Sequence, residues 1–462
     1  MTNLSRLSSS CTPSGALKIT RRRALQSMAA AGCALASGCG SNLTASGGSG
    51  GNPPEGGPPV GIPMPTTQAA FLDDVIRQGC LFFWEQASQA TGQVLDRASN
   101  YLGGALDSRT TASIASTGFG LTALCIADKY AYLPSVTHAQ IVDRVQTALS
   151  WHLNSMPEEN GFFYHFSDIN TGLPETGSEV SSIDTSILMC GVLAARAYFG
   201  AENAQIQSLA TQLYERVNWP WMLNGGSTFS MGWMPDSGFL AARYDTYCEL
   251  MMLYLLAIGS PTNPVAPSYW NNFARPTFTF DSYQFISGSA DPLFTHQYSH
   301  AWFDFRNKSD AYANYFDNSV AATQAHKAFC AQDYPQWYNA NYWGITSSDY
   351  AGGYTAWGGP PSLGPIDGTV VPCALAGSLA FDAADCYPAL NGLLSHYGNP
   401  AWGRYGFVDA FHPAANWYDT DCIGIDQGIS VLMAENLRSD LVWNTFMSNP
   451  EPVNAMQLVG FH

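Results

Sequence analysis

The sequence predicts an all-α fold, a toroid of helical hairpins, and three observations lead to this prediction. About six or seven pairs of segments with helically spaced apolar residues follow one another, separated by Gly- and Pro-rich connections. Neither a strand–helix–strand alternation nor a fixed repeat period is present, which argues against a parallel α/β fold and against a solenoid. With 46% hydrophobic and only 12% charged residues, the 462-residue chain can bury a large core.

The first 39 residues have the pattern of an export signal. Residues 18–39, KITRRRALQSMAAAGCALASGC, combine three arginines with a short apolar run. The paired arginines favour the twin-arginine type, and Cys39 or Cys33 is a candidate for lipid attachment. The run is shorter than the roughly 20 residues of a membrane-spanning helix. We therefore expect an exported bacterial protein, periplasmic or held to a membrane only through an N-terminal lipid.

Residues 40–66 are rich in Gly, Pro, Ser, Thr and Asn and cannot bury enough apolar area to fold, so they are predicted to be a disordered linker. The folded domain is then expected to span residues 67–462 and to be a monomer.

The charge balance limits the partners of this domain. The chain has 19 basic and 36 acidic residues, and removal of residues 1–38 takes away five basic and no acidic ones. An acidic surface of this kind repels nucleic acid and anionic lipid. A neutral substrate is the simplest expectation.

The helical pairs follow in order along the chain. The first helix carries Phe71, Val75 and Ile76, and the next two are expected in STGFGLTALCIADKY and HAQIVDRVQTALSWHL. Gly- and Asp-turn segments with alternating aromatics, GFFYHFSDINTGLP and STFSMGWMPDSGFLAARY, predict short β-hairpins on the rim. The remaining pairs are SSIDTSILMCGVLAARAYFG with AQIQSLATQLYERV, TYCELMMLYLLAIG with SYWNNFA, HQYSHAWFDF with DAYANYFDNSVAATQAHKAF, CALAGSLAF with ADCYPALNGLLSHY, and IGIDQGISVLMAENL with DLVWNTFMS.

Isolated carboxylates precede several of these apolar helices. Glu249 lies inside TYCELMMLYLLAIG, where burial would raise its pKa and let it act as a general acid; a helix N-terminal glutamate without catalytic function is the alternative. Asp426 in CIGIDQGISVLMAENL is either a catalytic carboxylate or a helix N-cap. Glu179 and Asp184 in SEVSSIDTSILMC are further candidates for catalysis or substrate binding.

Tryptophans in or beside loops could stack on sugar rings. Trp343 and Trp357 stand in the Gly-rich turns NANYWGIT and YAGGYTAWGGPP, which favours a sugar-stacking role over core packing. Trp233 and Trp302 are further candidates.

The run HQYSHAWFDFR, residues 296–306, suits a metal site, a packed core helix or the wall of a sugar pocket. His296 and His300 would share a helical face, as zinc ligands do, but a third ligand motif is absent, and we expect no metal. The chain also lacks a GxSxG nucleophile motif. Most cysteines are expected to be buried hydrophobes, and Cys373 with Cys386 is the pair to test for a disulfide.

Several of these motifs together resemble a known family. HQYSHAWFDFR, NANYWGITSSD, DGTVVPCALAGSLAF, RYGFVDAF and IGIDQG, with FFWEQASQATGQVLDRAS and STGFGLTAL, resemble the glycoamylase-like domain of bacterial secreted proteins. The likeness is greatest to endo-β-1,2-glucanase glycoside hydrolases, runs from Phe71 to the C-terminus, and implies an (α/α)6 barrel without a cofactor.

The resemblance also implies the chemistry: inverting hydrolysis of β-1,2-glucan to short oligosaccharides. The family acid matches Tyr247-Cys248-Glu249, and the base is placed at Asp426 by the IDQG match, although Ile429 stands where many relatives have proline. A non-catalytic glycan-binding lipoprotein and a β-1,2-glucan transglycosylase are the alternatives.

Under the same resemblance, HQYSHAWFDFR is expected to form a wall of the sugar cleft. His296, His300 and Arg306 would offer hydrogen bonds, and Tyr298 or Trp302 would offer a ring face. Asp304 is expected to hold Arg306 in place.

Overall fold

Helices account for most of the ordered structure and lie close to where the apolar patterns predicted them. The computed structural model describes residues 67–288 and 292–462. Its α-helices are α1 (Gln68–Glu85), α2 (Ile114–Tyr130), α3 (His138–Asn154), α4 (Ser182–Phe199), α5 (Ala204–Arg216), α6 (Trp219–Leu223), α7 (Met251–Gly259), α8 (Tyr315–Asp333), α9 (Pro372–Ala376), α10 (Ala383–Ala401), α11 (Gly424–Ser439), α12 (Leu441–Phe446) and α13 (Pro450–Leu458).

The strands are two to four residues long and pair as small antiparallel units between the helices. They are β1 (Arg97–Ser99), β2 (Thr111–Ser113), β3 (Glu158–Glu159), β4 (Phe162–Phe163), β5 (Phe166–Asp168), β6 (Val180–Ser181), β7 (Phe229–Ser230), β8 (Gly232–Met234), β9 (Gly238–Phe239), β10 (Arg243–Tyr244), β11 (Thr277–Phe280), β12 (Tyr283–Ile286), β13 (Ser348–Tyr350), β14 (Gly353–Thr355), β15 (Trp402–Gly403), β16 (Gly406–Phe407), β17 (Phe411–His412), β18 (Trp417–Tyr418) and β19 (Asp421–Ile423).

An inner layer of six segments surrounds the centre of the fold: α2, α4, α7, a 3-10 segment (293–301), α9 and α11. Helix α2 packs on α4 and α11, α4 packs on α7, and α9 packs on α11. The 3-10 segment joins α7 to α9, because Ser299 Oγ donates to the Glu249 carbonyl at 2.7 Å and Gln297 Nε2 donates to the Ala374 carbonyl at 2.9 Å. The predicted (α/α)6 fold is confirmed.

The outer layer packs behind these segments. Helix α1 packs on α11 and α2, α3 on α2, α5 on α4, α13 on α7, α8 on the 3-10 segment and α10 on α9. The two layers differ as the sequence predicted: α7 buries every residue from Met251 to Ile258, whereas α1 buries mainly one face. Burial of each large aliphatic side chain contributes about 1.5–3 kcal/mol, so the fully buried helix α7 contributes strongly to stability.

Four inner helices point in the same direction. At their C-terminal ends, Tyr130 of α2 donates to Ser439 of α11 at 3.2 Å, and Tyr198 of α4 donates to Asp128 of α2 at 2.9 Å. Arg196 near the end of α4 pairs with Glu451, whose backbone also abuts the last residue of α7. Because their C-terminal ends meet, α2, α4, α7 and α11 also begin at one common end of the ring.

Short strands connect the helices at this common end, as the hairpin prediction anticipated. Strand β19 leads into α11 and pairs with β1, β2 leads into α2 and pairs with β5, and β6 leads into α4 and pairs with β8. Isolated β-bridges join Leu95 to Ala112 and Tyr164 to Val180, and they link neighbouring strand pairs. Side chains on or beside these strands therefore converge on one rim.

Three predicted helices are different in the structure. HQYSHAWFDF forms the two 3-10 turns Leu293–His296 and Tyr298–Ala301, because the Gln297 side chain bonds to α9 and its backbone separates the turns. SYWNNFA contains the 3-10 turn Pro267–Asn271, which begins at a proline. The helix in CALAGSLAF ends at Ala376, because Gly377 packs against the Gln297 side chain.

The predicted export signal and linker lie outside the described residues. Within residues 67–288 and 292–462, none of the helices combines the length and the apolar character needed to cross a bilayer. The eight cysteines of this part of the chain are thiols, seven of them buried, so Cys373 and Cys386 do not form the disulfide that we considered.

An ion pair fastens the rim and predicts acid sensitivity. Arg109 Nη2 lies 2.6 Å from Asp107 Oδ2, and Arg109 also pairs with Asp421 of β19. Burial opposes ionisation of Asp107, but hydrogen bonds from Arg109 and from the Ser99 amide hold its pKa at about 2. Its folded pKa is below the unfolded value of about 3.9, so the stabilisation is present above pH 4 and is lost as pH falls toward 2.

We therefore expect Asp107→Asn to lower the free energy of unfolding by about 1 kcal/mol at pH 7 and by clearly less at pH 2, where about half of the Asp107 carboxyl groups are protonated. Urea unfolding followed by circular dichroism at both pH values measures this. The exposed Asp236→Asn is the control, and an equal loss for Asp107→Asn at both pH values would contradict the assignment.

Candidate active site

Glu249 lies at the entry to α7 and is fully buried, with 0% of its surface exposed. Ser299 Oγ donates to its carbonyl at 2.7 Å and accepts from the Met252 amide at 3.0 Å, which fixes the backbone just before the helix. Beside it, the Tyr247 hydroxyl lies 3.2 Å from His296 Nδ1. The Tyr247-Cys248-Glu249 stretch is therefore a rigid part of the ring.

Asp426 lies in the first turn of α11 and is 5% exposed. The helix N-cap is Ile423, which makes no side-chain capping bond, so the interpretation of Asp426 as the N-cap is wrong. Instead, its Oδ1 accepts a hydrogen bond from the Cys373 thiol at 3.2 Å. The carboxylate therefore faces α9, across the start of two neighbouring inner helices.

A chain of packing contacts connects Glu249 and Asp426 through the interior. Ser299 bonds the backbone of Glu249, and the adjacent Tyr298 packs its ring edge-on against Phe119 at 5.5 Å. A Cβ atom built on Gly428 would lie 2.2 Å from the Phe119 ring, so α11 approaches this ring directly. Gly428 is two residues beyond Asp426. Both carboxylates thus stand at the beginning of inner helices that share one direction.

Three further aspartates form an acidic cluster beside Asp426: Asp349, Asp409 and Asp419. Burial raises the pKa of Asp409 well above its usual range, and the nearby charges of Asp426 and Asp349 raise it further. The Asp349 amide donates to Asp409 Oδ2 at 2.7 Å, which holds β13 against this cluster. Burial also raises the pKa of Asp349 and Asp419. The acidic cluster can therefore retain protons near neutral pH.

The acidic cluster also has the spacing of a cation site, since one oxygen from each of its three carboxyl groups lies within 4.8 Å of the other two. Hard cations such as Ca²⁺ take carboxylate ligands of this kind. However, Arg97 Nη1 already lies 2.5 Å from Asp349 Oδ2 and supplies a positive charge. Bound protons and Arg97 together can balance the cluster, and the expectation of no metal stays a prediction.

Glu179 and Asp184 lie together at the start of α4, with His165 between them. His165 Nδ1 is 3.5 Å from Glu179 Oε1, and His165 Nε2 is 3.6 Å from Asp184 Oδ2. Ser181 caps α4 and donates to Asp184 Oδ2 at 2.6 Å. The rim thus contains a second carboxylate group, separate from the acidic cluster.

The expectation that Trp343 and Trp357 are poorly placed for a core is wrong, because both are 0% exposed. Trp357 Nε1 donates to Ser348 Oγ at 3.1 Å, which anchors the ring under β13. Trp302 is also 0% exposed and donates to Thr122 Oγ1 at 3.0 Å. None of these three rings presents a face to solvent, so the structure places them in the core and not on a sugar-stacking surface.

His296, Tyr298 and His300 are likewise buried and act as packing groups of the 3-10 segment. Burial lowers the pKa of both histidines to about 3, so they are neutral. His300 Nε2 lies 3.1 Å from Ser319 Oγ of α8. The proposed cleft wall is therefore an inner member of the ring.

Arg306 lies at the opposite end of the ring from Asp426. Its Nη1 donates at 2.8 Å to Asp440, the residue that ends α11, and its Nε donates at 2.9 Å to Asp304, as we expected. Its guanidinium stacks 4.0 Å from the Trp443 ring centroid. Because Asp426 begins the same helix that Asp440 ends, the prediction that Arg306 lines a cleft with Asp426 is wrong.

We expect Arg306→Ala to leave the kinetic constants of any reaction at the rim carboxylates unchanged, because the side chain is remote from them. The lost ion pairs and stacking should lower the free energy of unfolding by about 1 kcal/mol. Steady-state kinetics and urea unfolding of the same preparation measure both quantities. Lys308→Ala, which removes a neighbouring charge, is the matched control; a raised KM in Arg306→Ala alone would restore the binding role.

Trp233 is the predicted aromatic that remains near the rim with part of its surface exposed. It lies on β8 and pairs in register with Val180, the neighbour of Glu179. Its ring is 5.8 Å from that of Trp221. It is therefore still a candidate for stacking on a sugar.

Four rim residues were missed as site candidates: His165, Arg97, Asp349 and Asp409. Signals for two of them existed, since Asp349 and Asp409 lie within NANYWGITSSD and RYGFVDAF. Arg97 joins Asp96 and Asp349, which are 253 positions apart in the chain, and only the folded structure brings them together. His165 lies in a predicted hairpin and has no local pattern that indicates a site.

The chain forms a ring of six inner and six outer helical segments, and carboxylates lie at the start of its inner helices. Residues 242–450 match the Glycoamylase family model, described as “Putative glucoamylase”. This match agrees with the resemblance to the glycoamylase-like domain that the motifs predicted.

Known proteins resemble the chain over most of its length. An exo-β-1,2-glucooligosaccharide sophorohydrolase of Parabacteroides distasonis is 26% identical over 435 residues, covering 86% of this chain. The chain spans only 58% of the length of that relative.

Solved structures show the same fold. A β-1,2-glucanase of Parabacteroides distasonis superposes with a TM-score of 0.78 at 24% identity, covering 86% of this chain and 60% of the other. An endo-β-1,2-glucanase of Chitinophaga pinensis, bound to sophorotriose and glucose, gives a TM-score of 0.77 at 24% identity, covering 86% of this chain and 99% of the other.

Proposed function

We propose that this protein is a glycoside hydrolase that cleaves β-1,2-glucan by an inverting mechanism. The observation that carries the proposal is the placement of Glu249 and Asp426, which begin two inner helices of the same direction. Similarity to a sophorohydrolase that acts on β-1,2-glucooligosaccharides supports the substrate class. The acidic surface is consistent with a neutral glucan.

In the proposed mechanism, Glu249 is the general acid and protonates the glycosidic oxygen as the C–O bond breaks. Asp426 is the general base and takes a proton from the water that attacks the anomeric carbon on the opposite face. For inversion with a single water, the two carboxyl groups should be about 6.5–9.5 Å apart, or further if a hydroxyl group relays the proton. The Cys373 thiol bonded to Asp426 Oδ1 would orient that carboxylate.

The proposed mode is endo cleavage, which produces a mixture of short oligosaccharides. Exo action that releases only sophorose is the second candidate, favoured by the name of the Parabacteroides distasonis relative. The two modes differ in the rim: an exo enzyme closes one end of its cleft, whereas an endo enzyme leaves both ends open.

Product analysis on linear β-1,2-glucan tests this proposal. The purified protein is incubated with β-1,2-glucan, and with β-1,3- and β-1,4-glucans as controls, and products are separated over time. A ladder of short products supports endo action, and sophorose alone from the first time point supports exo action. No release under conditions where a known β-1,2-glucanase works would overturn the hydrolase proposal.

The same experiment distinguishes the remaining alternatives. A glycan-binding protein would release no products. It would still migrate more slowly in an electrophoresis gel that contains β-1,2-glucan, and Glu249→Gln would leave this binding unchanged. A transglycosylase would give longer or cyclic products. The anomeric form of the first product, followed by polarimetry or NMR, tests inversion directly.

We further propose that the protein is an exported monomer. The basic and apolar pattern of residues 18–39 supports export. Mass spectrometry of the mature N-terminus would show whether a lipid is attached at Cys39 or Cys33, and light scattering would measure the oligomeric state.

A further inference from the structure

A buried imidazole lies between two carboxylates on the rim, and the mechanism above does not use it. His165 is 5% exposed, and its two ring nitrogens lie 3.5 Å from Glu179 Oε1 and 3.6 Å from Asp184 Oδ2. The ring stacks on Phe166 with centroids 3.8 Å apart and 19° between planes. The His165 amide also donates to the Glu179 carbonyl at 2.8 Å. Both backbone and side chain therefore fix this ring against Glu179.

The surroundings favour the charged form of His165. Burial by itself lowers the pKa of an imidazole, but the charges of Asp184 and Glu179, with a smaller contribution from Asp96, raise the pKa of His165 above its usual value. The buried His152 has no carboxylate of this kind, and burial lowers its pKa to about 4. The paired carboxylates are thus what separates His165 from an ordinary core histidine.

His165 lies between the start of α4 and residues that contact the start of α11. Glu179 and Asp184 flank the start of α4. Asp96 bonds by its carbonyl to the Gly424 amide at 2.7 Å, at the start of α11 and two residues before Asp426. Its carboxylate pairs with Arg97, which in turn pairs with Asp349. Alternating charges therefore run along the rim from α4 to the acidic cluster.

We infer that His165 is a positioning residue: its ring lies between Glu179 and Asp184 and holds both carboxyl groups in place, so that Glu179 can accept a hydrogen bond from a hydroxyl group of the glucan. A structural ion pair alone would give little stability, because desolvation of buried charges offsets most of their attraction. The inference rests on the proposed function, since the substrate hydroxyl comes from it.

Kinetics of His165→Gln test the role in catalysis. We expect kcat/KM on β-1,2-glucan to fall by about 10–100-fold through misplacement of Glu179. The pH profile should also change, because the variant lacks the positive charge that the imidazole of His165 carries below its raised pKa. The matched control His152→Gln should lose stability and keep the wild-type pH profile. An unchanged profile and unchanged kcat/KM in folded His165→Gln would overturn the inference.

The charge of His165 is tested without any activity measurement. NMR of histidine-labelled wild-type protein should show one buried imidazole, absent from His165→Gln, that titrates above pH 6.5. Glu179→Gln should shift this midpoint to lower pH, and this variant serves as the second test if His165→Gln does not fold. A midpoint below 6.5 overturns the inference. Should the wild type release no sugar from any glucan, the proposed function fails while the NMR result still decides the charge state.

Discussion

Glu249→Gln is expected to lower kcat on β-1,2-glucan by about 10²–10⁴-fold, the usual contribution of a general acid. The amide has nearly the same shape as the carboxyl group but cannot deliver a proton to the leaving oxygen. Because Glu249 is fully buried and its backbone is held by Ser299, the variant should fold as the wild type does. Release of reducing ends from β-1,2-glucan measures the loss, and circular dichroism checks the fold.

Asp426→Asn should cause a loss of the same order, since the asparagine cannot take a proton from water. The two single losses should not add in the double variant, because the acid and the base act in one step. Asp440→Asn is the matched control: it lies at the other end of α11, where a positive φ of 61° is well tolerated by asparagine. If Glu249→Gln and Asp426→Asn both remain active while folded, the assignment of acid and base is wrong.

Trp302→Ala is expected to reduce the free energy of unfolding by about 3–5 kcal/mol, the usual cost of removing a large buried ring. The ring lies 4.8 Å from Phe119 and donates to Thr122, so its removal leaves a cavity between the inner helices and takes away one hydrogen bond. Urea unfolding measures the loss. A sugar-stacking role would instead predict weaker binding with little change in stability.

Trp302→Phe separates the two roles further. It keeps most of the buried ring area and removes the hydrogen bond, so we expect a loss of about 1–2 kcal/mol with an unchanged KM. Trp337→Phe is a suitable control, because Trp337 is one of the few exposed large aromatic side chains among the described residues. A raised KM in Trp302→Phe with unchanged stability would show that the core assignment is mistaken.

The helical pattern was predictable because apolar periodicity reports directly on burial. Helices α2, α3 and α8 appear where STGFGLTAL, HAQIVDRV and NSVAATQAHKAF placed them. The errors concern segments where contacts distant in sequence decide the conformation. The 3-10 turns at 293–301 depend on bonds to α9, more than 70 residues away along the chain.

Burial of individual side chains could not be read from local composition. Trp343 and Trp357 stand in Gly-rich turns, which are usually surface features, but both indoles are fully buried in the structure. Arg306 shows the same limit: its neighbours in sequence suggested a cleft wall, while its partner Asp440 places it at the far end of α11.

The sequence by itself determined the class of fold, the family resemblance and the presence of Glu249, Asp426, Glu179 and Asp184 at the entries to apolar helices. Only the tertiary structure decided which groups meet on the rim, namely the acidic cluster with Arg97 and the pair of carboxylates around His165. The physical reason is that helix formation follows from a few neighbouring residues, whereas the charge state and contacts of a buried group depend on elements that the chain brings together from hundreds of residues apart.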